Sequence, residues 1–205
     1  MRLAVLLVLA ASVALPALPA YAAADKAAGR DKAKVCAACH GEDGVSATAG
    51  IPSLAGQLDQ FIQWQLVFFR SGRRPNPAMA PLVASLSDED IRNLGAYFSS
   101  LPYVAKPSSG ATNPEEATKG KLVATSHHCA ACHMDDYHGS GAAAAIADQR
   151  EEYLVKALQD YRSAARPSTG VAAMNEAASG LSDDDMVAVS NYLATLQPTQ
   201  NQGQK

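Results

Sequence analysis

The chain has 205 residues and a net charge of −3, so it offers no basic field for nucleic acid, and nucleic acid is not expected as a partner. It contains no Ser-His-Asp grouping, phosphate loop or zinc set, which removes the common hydrolase, nucleotide and structural-zinc classes. All four cysteines fall in one motif that occurs twice, so none is left for a disulfide or a free thiol.

The chain opens with Met1-Arg2, an apolar run from Leu3 to Leu15, Pro16 and Pro19, and the small-residue site Ala20-Tyr21-Ala22. Those are the parts of a secretory signal peptide, expected over 1–24, and they place the mature protein in the periplasm. The apolar run is close to the lower limit for a span, so an uncleaved N-terminus remains open as a membrane anchor. Without the first 24 residues, 181 remain, enough for one ordinary domain or two small ones.

Asp25 to Ala38 is predicted as a helix leading into Cys36-Ala37-Ala38-Cys39-His40. C-x-x-C-H is the spacing by which haem is attached to protein. At the start of a helical turn, residues three apart share a face, so Cys36 and Cys39 can both reach the vinyl groups along one haem edge, and His40 then ligates the iron from below. A redox dithiol or half a zinc knuckle would explain the cysteine pair but not the histidine in fifth place. Residues 41–56 are predicted as loop, with four glycines and Pro52. From Gln57, the apolar residues Leu58, Phe61, Ile62, Leu66 and Phe69 fall at helical spacing, with Trp64 and Phe68 beside that face and Gly72 as the stop. Arg73 to Ala84 is a proline-rich loop carrying Met79. A haem held by one histidine needs a group on its other face, and the Met79 thioether suits it. Ser87 caps a helix with Asp88, Glu89 and Asp90 in its first turn. That helix start is a sufficient reason for the acidic run, and Ile91, Leu94, Phe98 and Leu101 are the buried stripe behind it.

Residues 102–112 have the composition of a linker, and Asn113-Pro114 starts a new helix. The order of the first half then repeats: Cys36 maps to Cys129 at an offset of 93, Gln57 to Gln149 at 92, and Met79 to Met174 at 95. Cys129, Cys132 and His133 therefore form the second motif, and Met174 is the candidate on the other face of its haem. Met134 follows His133 and cannot cross to the far face, while Met186 matches the core residue Ile91. His127 and His128 are expected on the helix of His133 at exposed positions, and His138 lies in a loop as a weaker competitor for iron. The domains are expected at 25–101 and 113–197, with a polar tail at 198–205. A domain of this size buries little apolar surface, and the haem would act as its staple.

The two motifs, the segment Ile51-Pro52-Ser53-Leu54-Ala55-Gly56-Gln57, a methionine seven residues before each Leu-Ser-Asp, and Tyr97 and Tyr192 together resemble the di-haem class I cytochromes c, the cytochrome c4 family. The resemblance implies an all-α fold of two tandem class I cytochrome c domains, each wrapped around one covalently attached haem c. It implies thioether bonds from Cys36, Cys39, Cys129 and Cys132, with His40/Met79 and His133/Met174 as iron ligands. It further implies that Gly29 and Gly120 let the first helix of each half cross its last, and that the Pro52 carbonyl orients His40. Ala144 replaces Pro52 and Asp148 replaces Gly56 in the second half, so the C-terminal haem is expected to be the less rigidly held.

The expected function is electron transfer between a respiratory or dehydrogenase partner and a terminal acceptor such as an oxidase, with no bond made in a substrate. The alternative is the cytochrome subunit of a flavoprotein dehydrogenase, for example one that oxidises sulfide, with the flavin on the partner. Residues 25–101 carry eight basic and eight acidic side chains, and 102–205 carry eight and twelve. The second half is thus the negative end of the molecule.

Overall fold

The computed structural model describes residues 23–102, 113–166, 168 and 174–197. The expected signal peptide, linker and tail lie outside those residues almost entirely. Among the described residues the fold is all-α, and no helix is long and apolar enough to cross a membrane.

The N-terminal half contains α1 (Lys26–Ala33), α2 (Ala37–His40), α3 (Asp59–Arg70), α4 (Ala80–Val83) and α5 (Asp88–Ser100). The C-terminal half repeats them as α6 (Pro114–Ser126), α7 (Ala130–His133), α8 (Glu151–Arg162), α9 (Met174–Ser179) and α10 (Asp183–Thr195). Asp25 and Asn113 cap α1 and α6, each accepting two backbone N–H groups. Ser87 and Ser182 close reciprocal capping boxes with Asp90 and Asp185, which satisfies amide donors that a helix start otherwise leaves without partners.

In each half the first helix lies across the last, and the third packs on the last as well. Glycine makes the crossing possible. A Cβ on Gly29 would stand 2.0 Å from the Asn93 carbonyl oxygen, and one on Gly120 would stand 2.0 Å from that of Ala188. Ala33, Ile62, Leu94 and Phe98 form the N-terminal core, with Cys36 packed against it. Val123, Leu154, Leu181, Met186, Val189 and Leu193 lead the C-terminal core, with Cys129 against it. Met186 is fully buried, as its match to Ile91 implies.

Three local expectations need correction. The helix expected over 25–38 ends at Ala33, and the haem motif forms a separate turn, joined to it by the Cys36 N–H donating to the Ala33 carbonyl at 2.8 Å. The proline-rich loop contains the short helix α4, with Pro81 in its first turn, where a missing N–H costs nothing. His127 and His128 do not share a helix with His133: α6 ends at Ser126, His127 is its C-cap, and His128 has φ 53°.

Candidate haem sites

In each half the cysteine motif forms one helical turn. The His40 N–H donates to the Cys36 carbonyl at 2.9 Å, and the His133 N–H donates to the Cys129 carbonyl at 3.0 Å. Cys36 and Cys129 are partly buried while Cys39 and Cys132 are exposed, and none is in a disulfide. Burial, with the neighbouring cysteine adding to it, pushes the Cys36 thiol above its ordinary value; burial also leads the rise at Cys129.

His40 is buried, and its Nδ1 stands 2.9 Å from the Pro52 carbonyl oxygen. His133 makes the same contact with the Ala144 carbonyl oxygen at 2.7 Å. Since a carbonyl only accepts, the proton is on Nδ1 in both rings. Burial holds both imidazoles below the ordinary histidine pKa, against the opposing effect of the carbonyl bond. Each ring is therefore neutral at neutral pH, with its lone pair on Nε2, the form that ligates a metal. Loss of proline at position 144 has not released the orienting carbonyl. The backbone there is held by a bridge between Ser140 and Ala143 and by Gln57, whose side chain bonds both the N–H and the carbonyl of Ala145.

The two methionines sit on loops that are fastened at their ends. Asn76 Oδ1 accepts the N–H of Ala78 and of Met79 at 3.0 Å each, which sets Met79 as the N-cap of α4. Arg70, at the end of α3, donates to the Leu86 carbonyl at 2.7 Å and to Asp88 at 2.6 Å, closing the loop that carries Met79. Arg162 makes the matching bonds to the Leu181 carbonyl and to Asp183. Met174 begins α9, and Asn175 beside it donates to the carbonyls of Tyr161 and Arg166. Both methionine side chains are half-buried. Of the competitors, Met134 is 40% exposed, His127 and His128 are exposed, and His138 pairs with Asp136.

The residues fit a haem in each half. Two thiols lie on one turn beside a neutral imidazole whose Nδ1 is held by a carbonyl, and the first cysteine of each pair packs against an apolar cluster.

The structure also brings together residues to which the sequence reading assigned no role. Gln57 and Gln149 cross between the halves to the backbone of Ala145 and Ser53, respectively. Arg74 and Arg166, one from each half, share two acceptors. Gln65 Oε1 accepts from Arg74 at 2.6 Å and from Arg166 at 2.8 Å, and the Tyr153 hydroxyl stands 3.4 and 3.3 Å from the same two guanidinium groups. Their positive charge overrides burial and brings the Tyr153 phenol down to about 8. Both pairs recur at an offset of 92, a signal available in the duplication but without a chemical motif attached.

Two family models match the chain, one described as cytochrome c over residues 117–197 and one as cytochrome c oxidase, cbb3-type, subunit III, over residues 23–98. The chain is 36% identical over 196 residues to cytochrome c4 of Azotobacter vinelandii, covering 86% of this chain and 91% of that one. It is 34% identical over 172 residues to the thiosulfate dehydrogenase electron acceptor of Stutzerimonas stutzeri, covering 80% of each. The structure superimposes on reduced recombinant cytochrome c4 from Pseudomonas stutzeri with a TM-score of 0.76 and 31% identity, over 85% of this chain and all of that one. The partner class of such proteins is redox proteins, oxidases or dehydrogenases. With two matching halves, a neutral histidine beside each cysteine pair and similarity along most of its length, the chain belongs to the cytochrome c4 family and is a periplasmic electron carrier with two covalently bound haem c groups, not an enzyme.

Proposed function

We propose that Cys36 and Cys39 would hold one haem and Cys129 and Cys132 the other through thioether bonds, with His40 and Met79 as the iron donors of the first and His133 and Met174 those of the second. When bound, each haem supplies an iron that gains and loses one electron. The chain's own part is to fix the donors before and after that exchange. His40 and His133 are held by carbonyls, so their Nε2 lone pairs keep one direction, and the Arg70 and Arg162 bonds fasten the chain beyond Met79 and Met174, whose thioethers would complete each donor set. A methionine ligand also favours the reduced state and excludes outside ligands. The domain limits consistent with this are 25–101 and 113–197, joined by 102–112 after export directed by 1–24.

The observation that carries the reading is the commitment of each histidine Nδ1 to a carbonyl, 2.9 Å in one half and 2.7 Å in the other, beside two thiols on one turn. On the donor side we place a dehydrogenase of small inorganic sulfur compounds, as the name of the S. stutzeri relative supports, and on the acceptor side an oxidase. An intact mass equal to apoprotein plus two haems tests the attachment. Met79→Ala and Met174→Ala should each lower one reduction potential and leave the other nearly unchanged. If either substitution alters neither site's spectrum, that methionine is not a ligand. Thiosulfate dehydrogenase should reduce the protein in stopped flow, and no reduction would remove that donor.

A further inference from the structure

Each histidine is fastened to a peptide group that also touches the other half. The Pro52 carbonyl accepts from His40, and the N–H of that same peptide unit, belonging to Ser53, donates to Gln149 Oε1 at 2.9 Å. The Ala144 carbonyl accepts from His133, and the N–H of that peptide, belonging to Ala145, donates to Gln57 Oε1 at 2.8 Å. Each glutamine returns a bond, Gln149 to the Ser53 carbonyl at 3.0 Å and Gln57 to the Ala145 carbonyl at 2.9 Å. Each Oε1 also accepts the N–H of the next residue, Leu58 or Arg150, at 3.0 Å. Both glutamines are buried, each 6% exposed. Turning either side chain away would strand buried amide groups, so their orientation is fixed.

We propose that Gln57 and Gln149 are positioning residues that act crosswise: Gln57 sets the donor strength of His133, and Gln149 that of His40. This rests on the reading that those histidines ligate the irons. A peptide whose N–H is given to a good acceptor has a more electron-rich carbonyl, because hydrogen bonds in a chain polarise one another. That carbonyl draws harder on the Nδ1 proton, the ring becomes more imidazolate-like, and its Nε2 becomes a stronger donor. A stronger donor favours ferric iron and lowers the potential. Each half thus tunes the ligand of the other through a single peptide unit.

The test uses full-length holoprotein carrying Gln57→Leu or Gln149→Leu, in a redox titration followed by nuclear magnetic resonance. Signals of each iron site are assigned through contacts to residues of its own half. Q57L should raise the potential of the C-terminal iron, move the His133 Nδ1 proton upfield, and leave the N-terminal iron unchanged. Q149L should do the reverse. A shift confined to the variant's own half, an equal shift of both irons, or no shift would overturn the proposal while leaving the ligand assignment intact. Absence of iron-ligand signatures from His40 or His133 in the unsubstituted protein would overturn the ligand assignment and the proposal with it. If neither variant folds and takes up haem, the glutamines serve folding, and the proposal is overturned as well.

Discussion

Tyr153 shows how far a side chain can be moved by its neighbours. Burial alone would raise its phenol, yet Arg166 and Arg74 bring it down to about 8. Tyr137, raised first by burial and then by Tyr192, Cys129 and Asp135, is pushed up to about 12. An acid whose pKa is lower folded than unfolded adds stability that is fully present above the unfolded value, about 10, and lost as pH falls through about 8. Unfolding by denaturant should therefore show the native protein gaining on Tyr153→Phe between pH 7.5 and 9.5. A constant difference would mean that the phenol does not ionise there. Carbon-13 resonance of labelled tyrosine should place one phenol near pH 8, absent from the variant.

Whereas the crossings at Gly29 and Gly120 came only with the family resemblance, the helices were legible where local chemistry decides them: Ser87 and Asn113 cap where their side chains imply. The same holds for the haem motifs, since a histidine after two spaced cysteines has few other uses. The turn at His127 and His128 was not legible from local pattern. Gly29 maps to Gly120 at an offset of 91, but Cys36 maps to Cys129 at 93, and the two extra residues lengthen α6, which runs to Ser126 where the match to Ala33 is Ala124. The crossing glutamines were also missed, because bonds between residues some 90 positions apart leave no periodic trace. The duplication is unequal in backbone chemistry too. Gly41, Gly44, Gly56 and Gly72, all at positive φ, are replaced by Met134, Tyr137, Asp148 and Ala164, which keep it. Ala164 is the simplest case, a methyl side chain at φ 58°. Ala164→Gly should stabilise the C-terminal half by about 1 kcal/mol against denaturant. Gly120→Ala should cost about 1–3 kcal/mol, since the added carbon meets the Ala188 backbone, and calorimetry would show the C-terminal transition moving down.

At the scale of the whole molecule, charge and symmetry pull apart. Residues 25–101 are neutral in sum while 102–205 carry four more acidic than basic side chains, so a partner meets two unlike ends. Electron transfer to the physiological partner should change clearly with added salt, because exposed charges are screened over about 8 Å at physiological ionic strength. A rate indifferent to salt would remove steering from the account. Part of the contact between the halves, by contrast, is matched: Gln57 does to Ala145 what Gln149 does to Ser53, and Arg74 faces Arg166, although the Gln65 and Tyr153 between them stand where the other half has Ala157 and Phe61. A surface that recognises its own copy by such reciprocal contacts is the mark of a two-fold homodimer. Fusing two copies of one ancestral gene end to end would have turned that dimer into a single chain without inventing any contact. Tethering would replace a bimolecular encounter by a local concentration of millimolar order, leaving each copy free to diverge in its loops while the two glutamines keep their contacts reciprocal.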